Sequence, residues 1–506
     1  MREDWIESTL GEVSDVGAGS PAPQGQEYFE LGSIPFIRVK DMGKLGSNKV
    51  ISDAEDHLNE KGTEKLKLIP KGSLLFTKSG ASTLLNQRAL INRDMYVVSH
   101  IGFATPYSVI TSNYLYYIMK LVDFAIFAHA TTLPSLPLSK AKGITIPIAP
   151  LPEQRAIVAK IEELFSDLDK GIVDLKKAQD QLKVYRQAVL KKAFEGELTK
   201  DWREQQTDLP TADTLLEQIK EERQKHYEQQ LENWKRAVKA WEQNGKEGKK
   251  PGKPQKHKEV EELTKAELDE LASLPSNWKW IKNNELMYYV TSGSRDWKKF
   301  YSDTKGTYFV RTQDIKTNRL DLDGAAFVDL PKHVEGKRSL IEKGDLLMTI
   351  TGANVGKIAH VDFDISEAYV SQSVALMKYV LKSFSPYLHY YFQSSATGAK
   401  FIGAMVYGVG RPVLSLDNMR DAPVSVCSFE EQHQIVQEIE SRLTVCDKLE
   451  ESITESLEKA KALRQSILKK AFEGTLLTEQ EIAACKAAPD YEPASVLLER
   501  LKAEKK

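Results

Sequence analysis

Three groups of residues in this 506-residue chain have types and spacings that could do chemistry. Thr351-Gly352-Ala353-Asn354-Val355-Gly356-Lys357-Ile358 has the outline of a phosphate-binding loop. Such a loop needs four residues between its glycines, so that backbone amides surround the phosphates, and a Ser or Thr after the lysine to hold magnesium. Here three residues separate the glycines and Ile358 stands at the magnesium position, so the segment reads as a turn after a strand. Asp329 followed by Glu335-Gly336-Lys337 is a loose carboxylate–lysine set of the nuclease kind, but that spacing arises often by chance and residues 1–150 offer no equivalent. The nine histidines show no metal-ligand spacing, and His100 and His389 read as structural residues. There is no Asn/Asp-Pro-Pro-Tyr/Phe run of the kind that holds adenine in amino-methyltransferases, and no Gly-rich turn suited to a nucleoside cofactor. The residues compose no catalytic set, which points to binding.

The elements that would position a binding surface occur twice. Leu151 to Leu198 aligns without a gap onto Phe429 to Leu476 at an offset of 278, with 19 of 48 positions identical. The densest match sets Arg186-Gln187-Ala188-Val189-Leu190-Lys191-Lys192-Ala193-Phe194-Glu195-Gly196 against Arg464-Gln465-Ser466-Ile467-Leu468-Lys469-Lys470-Ala471-Phe472-Glu473-Gly474. Upstream, Leu68 to Thr77 matches Leu340 to Thr349, Phe36 to Met42 matches Phe309 to Ile315, and Tyr114 to Tyr117 faces Tyr387 to Tyr390. Leu215-Leu216-Glu217 echoes Leu497-Leu498-Glu499. A repeat this long is two copies of a domain plus a helix, not a solenoid.

The boundaries follow: a first domain over 1–150, a long helix over 151–200, a helical and charged linker over 201–277, a second domain over 278–428, a second long helix over 429–476, and a helical tail over 477–506. The chain is too long for one core. Met1-Arg2-Glu3-Asp4-Trp5 opens without an apolar leader, and no run approaches the ~18 to 20 apolar residues of a membrane span. Cys427, Cys446 and Cys485 form no pairing or zinc pattern and fit a reducing cytoplasm. Net charge is −2; residues 1–150 carry 15 basic and 15 acidic side chains, and residues 278–428 carry 19 and 15. Between Lys246 and Lys258 six lysines face one glutamate among glycines and prolines, which reads first as a solvated, flexible linker and second as a nucleic-acid or partner contact.

In the long helices Ile157, Ile161, Leu164, Leu168, Ile172, Leu175, Ala178, Leu182, Tyr185 and Val189 recur at steps of three and four. Ile435, Ile439, Leu443, Cys446, Leu449, Ile453, Leu457, Ala460, Leu463 and Ile467 repeat the pattern. That spacing puts one apolar stripe on each helix. Either each stripe packs on its own domain, or the two face each other as an antiparallel coiled coil about a pseudo-twofold axis, the arrangement preferred here. Gly196 and Gly474 stand where helix caps belong. The two domains read as α/β, with short strands such as Ile34 to Val39 and Asp345 to Ile350, and helices over Tyr114 to Ala128 and Pro386 to Phe401.

This layout resembles the specificity subunit of type I restriction–modification systems, over essentially the whole chain. The resemblance rests on Pro150-Leu151-Pro152-Glu153-Gln154-x-x-Ile157-Val158, the Arg186 to Gly196 run and Trp202-Arg203. It rests equally on their echoes Glu431-Gln432-x-x-Ile435-Val436 and Arg464 to Gly474. Two departures are Ser428-Phe429-Glu430, where the family has prolines, and Leu477-Thr478-Glu479, without the Trp-Arg pair. The resemblance implies two target-recognition domains, each reading half of a bipartite site in double-stranded DNA. The paired helices would be a ruler and a dock for two methyltransferase subunits, with restriction motor-nuclease subunits joining. It implies a non-catalytic chain that binds no cofactor, with S-adenosylmethionine in the methyltransferase and ATP and magnesium in the motor-nuclease.

For DNA contact it points, in the first domain, to the loop bearing Lys78, Ser79, Ser82, Thr83, Asn86, Gln87 and Arg88. In the second it points to Arg295, Lys298, Lys299, Asn354, Lys357, Tyr407 and Arg411. Bidentate Arg on guanine, Asn or Gln on adenine and Lys on phosphate would be the chemistry; ordinary solvated turns explain the same loops. For docking it points to Arg186, Lys191, Lys192 and Phe194 with Arg464, Lys469, Lys470 and Phe472, unless the two phenylalanines merely cap the helix pair. An autonomous DNA-modifying enzyme and a coiled-coil scaffold without sequence readout are the rival readings.

Overall fold

The computed structural model describes residues 2–46, 48–127, 134–293, 295–302, 306–317, 319–331 and 336–504, with backbone alone at 295, 296 and 298. Ala128 and Glu335, which entered the readings above, lie outside the described residues. The chain divides into two units, Met1–Lys177 with Ile453–Lys506, and Ala178–Ser452.

Strand Leu74–Thr77 organises the first unit. Its four residues are buried, so it is covered on both faces, as a run of apolar residues without polar alternation requires. Side chains alternate between faces. Leu74 and Phe76 pack with Tyr114 and Leu115 of helix Ser112–Leu121, whereas Leu75 packs with Phe36 and Val97 of a second sheet. The first sheet has the order Ser14–Ala18, Ile101–Pro106, Leu74–Thr77, Arg88–Ile91, Val50–Ile51, and the second Asp56–Leu58, Ile34–Ile37, Met95–Val97, Leu68–Ile69. Ile6–Thr9 pairs with Thr145–Ile148.

The second unit repeats the plan. Leu346–Thr349 is the doubly covered strand, with Leu346 and Met348 facing Tyr387 and Leu388 and Leu347 facing Val310 and Val370. Its sheets run Met287–Ser292, Val374–Tyr379, Leu346–Thr349, Ile358–His360 and Tyr301–Ser302, Ala326–Val328, Thr307–Val310, Ala368–Val370. Lys279–Lys282 pairs with Pro423–Val426. Both units hold a parallel pair at the same place, Phe36 beside Tyr96 and Phe309 beside Tyr369, in sheets that are otherwise mainly antiparallel rather than built from β-α-β units. Gly19 and Gly293 are equivalent too: a Cβ would fall 2.1 Å from the Val97 carbonyl oxygen and 1.8 Å from that of Val370.

The long helices are Leu151–Phe194 and Phe429–Glu473. Gly196 (φ +79°) and Gly474 (φ +78°) end them in the left-handed conformation that a side chain would strain. Each unit holds the first part of one long helix and the last part of the other. In the first unit Glu153 and Ile157 lie with Ala471 and Leu476, while Asp169 pairs with Arg464, so the two segments run in opposite directions. In the second, Glu431 meets Thr199 while Asp447 meets Arg186, the same sense. The stripe of the first helix is half-buried from Leu164 to Leu182, and Tyr185, Leu449 and Leu463 are exposed, contrary to a fully covered seam, although Cys446 and Ile453 are buried.

The segments after the long helices are structural parts of the units. Leu497, Leu498 and Leu501 of helix Ala494–Glu504 enter the first core, with the Ala494 amide donating to Asp4 (3.1 Å). Leu215, Leu216 and Ile219 of helix Ala212–Gln243 enter the second, with the Ala212 amide donating to Asn277 (3.0 Å). The helix expected to reach Ala128 ends at Leu121, and the one expected over Pro386 to Phe401 is two, Phe384–Tyr391 and Gly398–Met405.

Candidate nucleic-acid interface

Strand directions bring the expected contact loops of each unit to one end of its first sheet. In the second unit Ser292 pairs with Ala375 and Thr349 with Val374, so the chain leaves one strand after Ser292 and another after Thr349 where a third begins at Val374. The segments carrying Arg295, Lys298 and Lys299, the turn at Gln372, and the turn carrying Asn354 and Lys357 therefore share that end. A further loop is fastened on: Gly352 donates to the Pro412 carbonyl (2.9 Å) and Leu414 to that of Ile350 (2.9 Å). Tyr407 and Val413 exchange two backbone hydrogen bonds (3.0 and 2.8 Å), closing a narrow loop whose Gly408 and Gly410 have φ of +97° and +88°. Tyr407 and Arg411 are exposed there, with Val409 at the tip. Lys357 is exposed, Asn354 half-buried, and Lys299 exposed with its ammonium 5.0 Å from the Phe300 ring. The side chains of Arg295 and Lys298 lie outside the described residues.

The first unit fastens its loop with the same bonds. Gly80 donates to the Pro134 carbonyl (2.9 Å) and Leu136 to that of Lys78 (2.8 Å). Lys78, Ser79, Ser82 and Gln87 are partly exposed on it. Three expected contacts are corrected. Thr83 is fully buried. Asn86 sits at φ +51°, donates to Asp123 (2.8 Å) and accepts from the Phe124 amide (2.9 Å). Arg88 is buried with its guanidinium carbon 3.6 Å from the Phe124 ring centroid, and donates to the Val122 carbonyl (3.0 Å); burial lowers its pKa. Asn86 and Arg88 are engaged by their own chain and Thr83 is covered, so none of the three turns a face toward a base. His100, expected to be structural, is exposed, and its carbonyl accepts from Lys78 (3.0 Å) at this end of the sheet. His100 and Gln372 are polar positions that the residue types alone missed. They lie in equivalent turns, Val97-Val98-Ser99-His100 and Val370-Ser371-Gln372-Ser373, and the polar residues that end both runs carry the signal.

The expected docking residues divide. Phe194 is fully buried, its ring edge-on to Tyr387 and Tyr391 (both 5.2 Å), and Phe472 packs the same way on Tyr114 (5.2 Å). The two rings are corrected to core residues, because each is consumed within its own unit. Arg186 pairs with Asp447 (2.7 Å) and Glu450 (2.9 Å), and Arg464 with Asp169 while lying over Phe165. Lys191, Lys192, Lys469 and Lys470 remain exposed. Asp169 and Asp447 are equivalent in the repeat, as are Arg186 and Arg464, so one ion pair is made in each unit.

The repeated Glu-Gln has the same structural cause. Glu153 and Glu431 are buried and accept from the indole N–H of Trp5 and Trp278 (both 2.9 Å). Gln154 donates to the carbonyls of Val109 and Ala149, and Gln432 to that of Cys427. Arg203 adds a 2.5 Å contact to Glu431; in the first unit Arg2 approaches Glu153 at 3.9 Å, which accounts for the missing Trp-Arg pair after the second helix. Among the described residues no His, Cys, Asp and Glu cluster could hold a metal ion, and no helix is long and apolar enough to cross a membrane.

Comparison with known proteins agrees with this frame. The model of the type I restriction modification DNA specificity domain matches twice, over residues 2–179 and 275–459. The type I restriction enzyme EcoBI specificity subunit of Escherichia coli is 24% identical over 518 residues, covering 100% of this chain and 93% of that one. The MjaIX specificity subunit of Methanocaldococcus jannaschii is 31% identical over 199 residues, 38% of this chain and 44% of that one. In fold, the HsdS subunit from Thermoanaerobacter tengcongensis covers 94% of this chain and 98% of its own with a TM-score of 0.51 at 16% identity. A chain from structural work on complex assembly and conformational transition of the type I R-M system reaches a TM-score of 0.66 at 16% identity, covering 94% and 99%. The chain belongs to the type I restriction–modification DNA specificity family, whose members serve as specificity subunits in DNA recognition.

Proposed function

We propose that this chain reads an interrupted, asymmetric DNA sequence, each unit taking one half-site with the loop end of its first sheet. One observation carries the reading: both units fasten the loop by the same Gly–Pro backbone bond, at Gly80 and Gly352, yet display unlike side chains on it. An equal frame with unequal loops suits two independent half-sites. Lys78, Ser79, Ser82 and Gln87 would contact one, and Asn354, Lys357, Tyr407 and Arg411, with Arg295, Lys298 and Lys299, the other.

The long helices pair antiparallel about a pseudo-twofold axis as a coiled coil and set the spacer. A 44-residue helix is about 66 Å long at ~1.5 Å per residue, and successive half-sites on one face of B-DNA lie about 34–36 Å apart. Two methyltransferase subunits dock along the helices, where Lys191, Lys192, Lys469 and Lys470 are exposed beside exposed apolar residues such as Val184 and Val445. The chain performs no reaction and binds no cofactor; S-adenosylmethionine is held by the methyltransferase, and ATP with magnesium by the motor-nuclease, all in the cytoplasm. Exchanging residues 1–150 for those of a relative, with methylated adenines mapped in a host that also expresses the methyltransferase, tests this. Half of the methylated sequence should change; a change in both halves or in neither sinks the reading.

A further inference from the structure

The lysine run between Lys246 and Lys258 lies on a built arm of the second unit. Ala212 and Asn277 are joined by a 3.0 Å hydrogen bond, so the chain between them leaves and returns to one place. Connectivity therefore does not need this excursion. Helix Ala212–Gln243 is anchored in the core only as far as Ile219, with His226 stacked on Tyr288 (4.3 Å). Beyond that it shows a half-buried stripe at Tyr227, Leu231, Trp234, Val238 and Trp241, which the returning chain covers.

The return has a period of three. Pro251, Pro254, His257, Val260 and Leu263 are half-buried and the residues between them are exposed. Three residues per turn is the period of a polyproline II helix, which rises ~3.1 Å per residue. The lengths agree. Trp241 donates to the Gly248 carbonyl (3.2 Å) and Trp234 to that of Pro251 (3.0 Å). The seven helical residues between the indoles rise about 10.5 Å, and the three returning residues about 9 Å. The far end is held where Asn284 meets the His257 ring (3.0 Å) and the Lys258 carbonyl (3.1 Å).

This packing turns the lysines outward. Lys250, Lys253 and Lys256 fall one turn apart, about 9 Å each, on one exposed edge, with Lys249 and Lys258 on the adjoining one. From His226 to Lys258 nine basic residues face four acidic ones, in a chain of net charge −2. The exposed edges carry no apolar side chain, and a protein interface with an apolar core would be poor in lysine. Point charges on a stiff rod without hydrogen-bonding specificity suit a phosphate backbone.

We infer that this arm is a sequence-independent clamp on the DNA backbone, separate from the loops that read bases. The inference rests on the DNA-recognition reading above. The test replaces Lys249, Lys250, Lys253 and Lys256 with Gln in the full chain, prepared alone and with the co-expressed methyltransferase. Affinity is measured against salt on a duplex containing the mapped site and on a scrambled one. Each lost phosphate contact removes about 0.9 from the slope of log affinity on log salt, so a loss of about 2 to 4 is expected. Affinity at low salt should fall at least about tenfold on both duplexes alike, while the methylated sequence stays the same. Replacing the same four lysines with Arg should keep the wild-type slope, and circular dichroism should show all variants equally helical. A Gln variant with the wild-type slope overturns the arm alone, as does one that instead loses a methyltransferase subunit in mass measurements. Wild-type protein that binds neither duplex overturns the arm and the DNA reading together.

Discussion

The two units solve one problem with unequal means. In the second, the buried Glu431 accepts from Trp278 and Thr199 (2.9 Å each), Arg203 (2.5 Å) and Asn277 (3.3 Å). In the first, Glu153 accepts from Trp5 at 2.9 Å, stands 3.9 Å from Arg2, and leaves its Oε1 without a partner. The repeat thus preserves the anchor that ties a domain's first strand to its long helix, while the donors around it drift. A buried carboxylate with several charged and polar donors is costly to remove, because the donors stay behind unpaired. Glu431→Ala should destabilise the second unit by about 4 kcal/mol. Glu153→Ala should cost the first about 1 to 3 kcal/mol. Indole fluorescence of variants keeping only Trp278 or only Trp5 follows each unit through denaturant; equal losses would show that the extra donors contribute nothing.

The next difference lies in the aromatic ends of the long helices. Phe194 meets two tyrosines and is fully buried, whereas Phe472 meets one and is 8% exposed. Phe194→Ala should cost about 3 kcal/mol, cavity included. Phe472→Ala should cost about 1 kcal/mol less, having one ring pair fewer. Chemical denaturation of both variants checks the order, and the reverse order would mean that the first core relaxes less than its contacts suggest.

These residues show what was readable in the chain. Gaps between Glu-Gln, Asp, Arg and Phe recur at one offset because the same indole, ion pair and ring contacts must be met twice. Frame and repeat were legible for that reason, although the exposure of Tyr185 and Leu449 was not, since a stripe records period and not cover. The readout surface was half legible. Asn86 and Arg88 have the residue types that read bases, but Phe124 and Val122 claim them from more than thirty residues away. Loop polarity carries no record of such a contact. The lysine run looked like a flexible linker for a related reason. Its three-residue period becomes an arm only against the stripe of the preceding helix.

A titration separates the units further. His389 is buried, and burial with the nearby His360 holds its pKa down at about 3; the equivalent residue of the first unit is Tyr116. A histidine lowered on folding is neutral in the native state, and the unfolded chain takes up the proton first. Its contribution is complete above the ordinary value near 6.5 and is lost as pH falls from there toward about 3. At pH 5.5 that is about 1.4 kcal/mol, falling on the second unit. His389→Tyr should flatten the pH dependence of its melting between 7 and 5.5; an unchanged slope would place the acid sensitivity elsewhere.

The smallest effects belong to the helix-to-helix ion pairs, which test the antiparallel register most directly. Both pairs are solvent-exposed on the carboxylate side, Asp447 at 69% and Asp169 at 50% of the side chain, so each is worth under about 1 kcal/mol. They should not be equal. Arg186 keeps Glu450 at 2.9 Å when Asp447 is removed, whereas among the described residues Arg464 pairs with Asp169 alone. Asp447→Ala should therefore cost about 0.3 kcal/mol and Asp169→Ala about 0.5. Arg464→Ala should exceed both, because its guanidinium also lies 4.6 Å from the Phe165 ring centroid. Reversing a whole pair, Asp169→Arg with Arg464→Asp, should recover the ionic part and leave the ring contribution lost. A double-mutant cycle showing no coupling between 169 and 464 would mean that the two helices do not meet there in solution, and the register drawn from the repeat would fall with it.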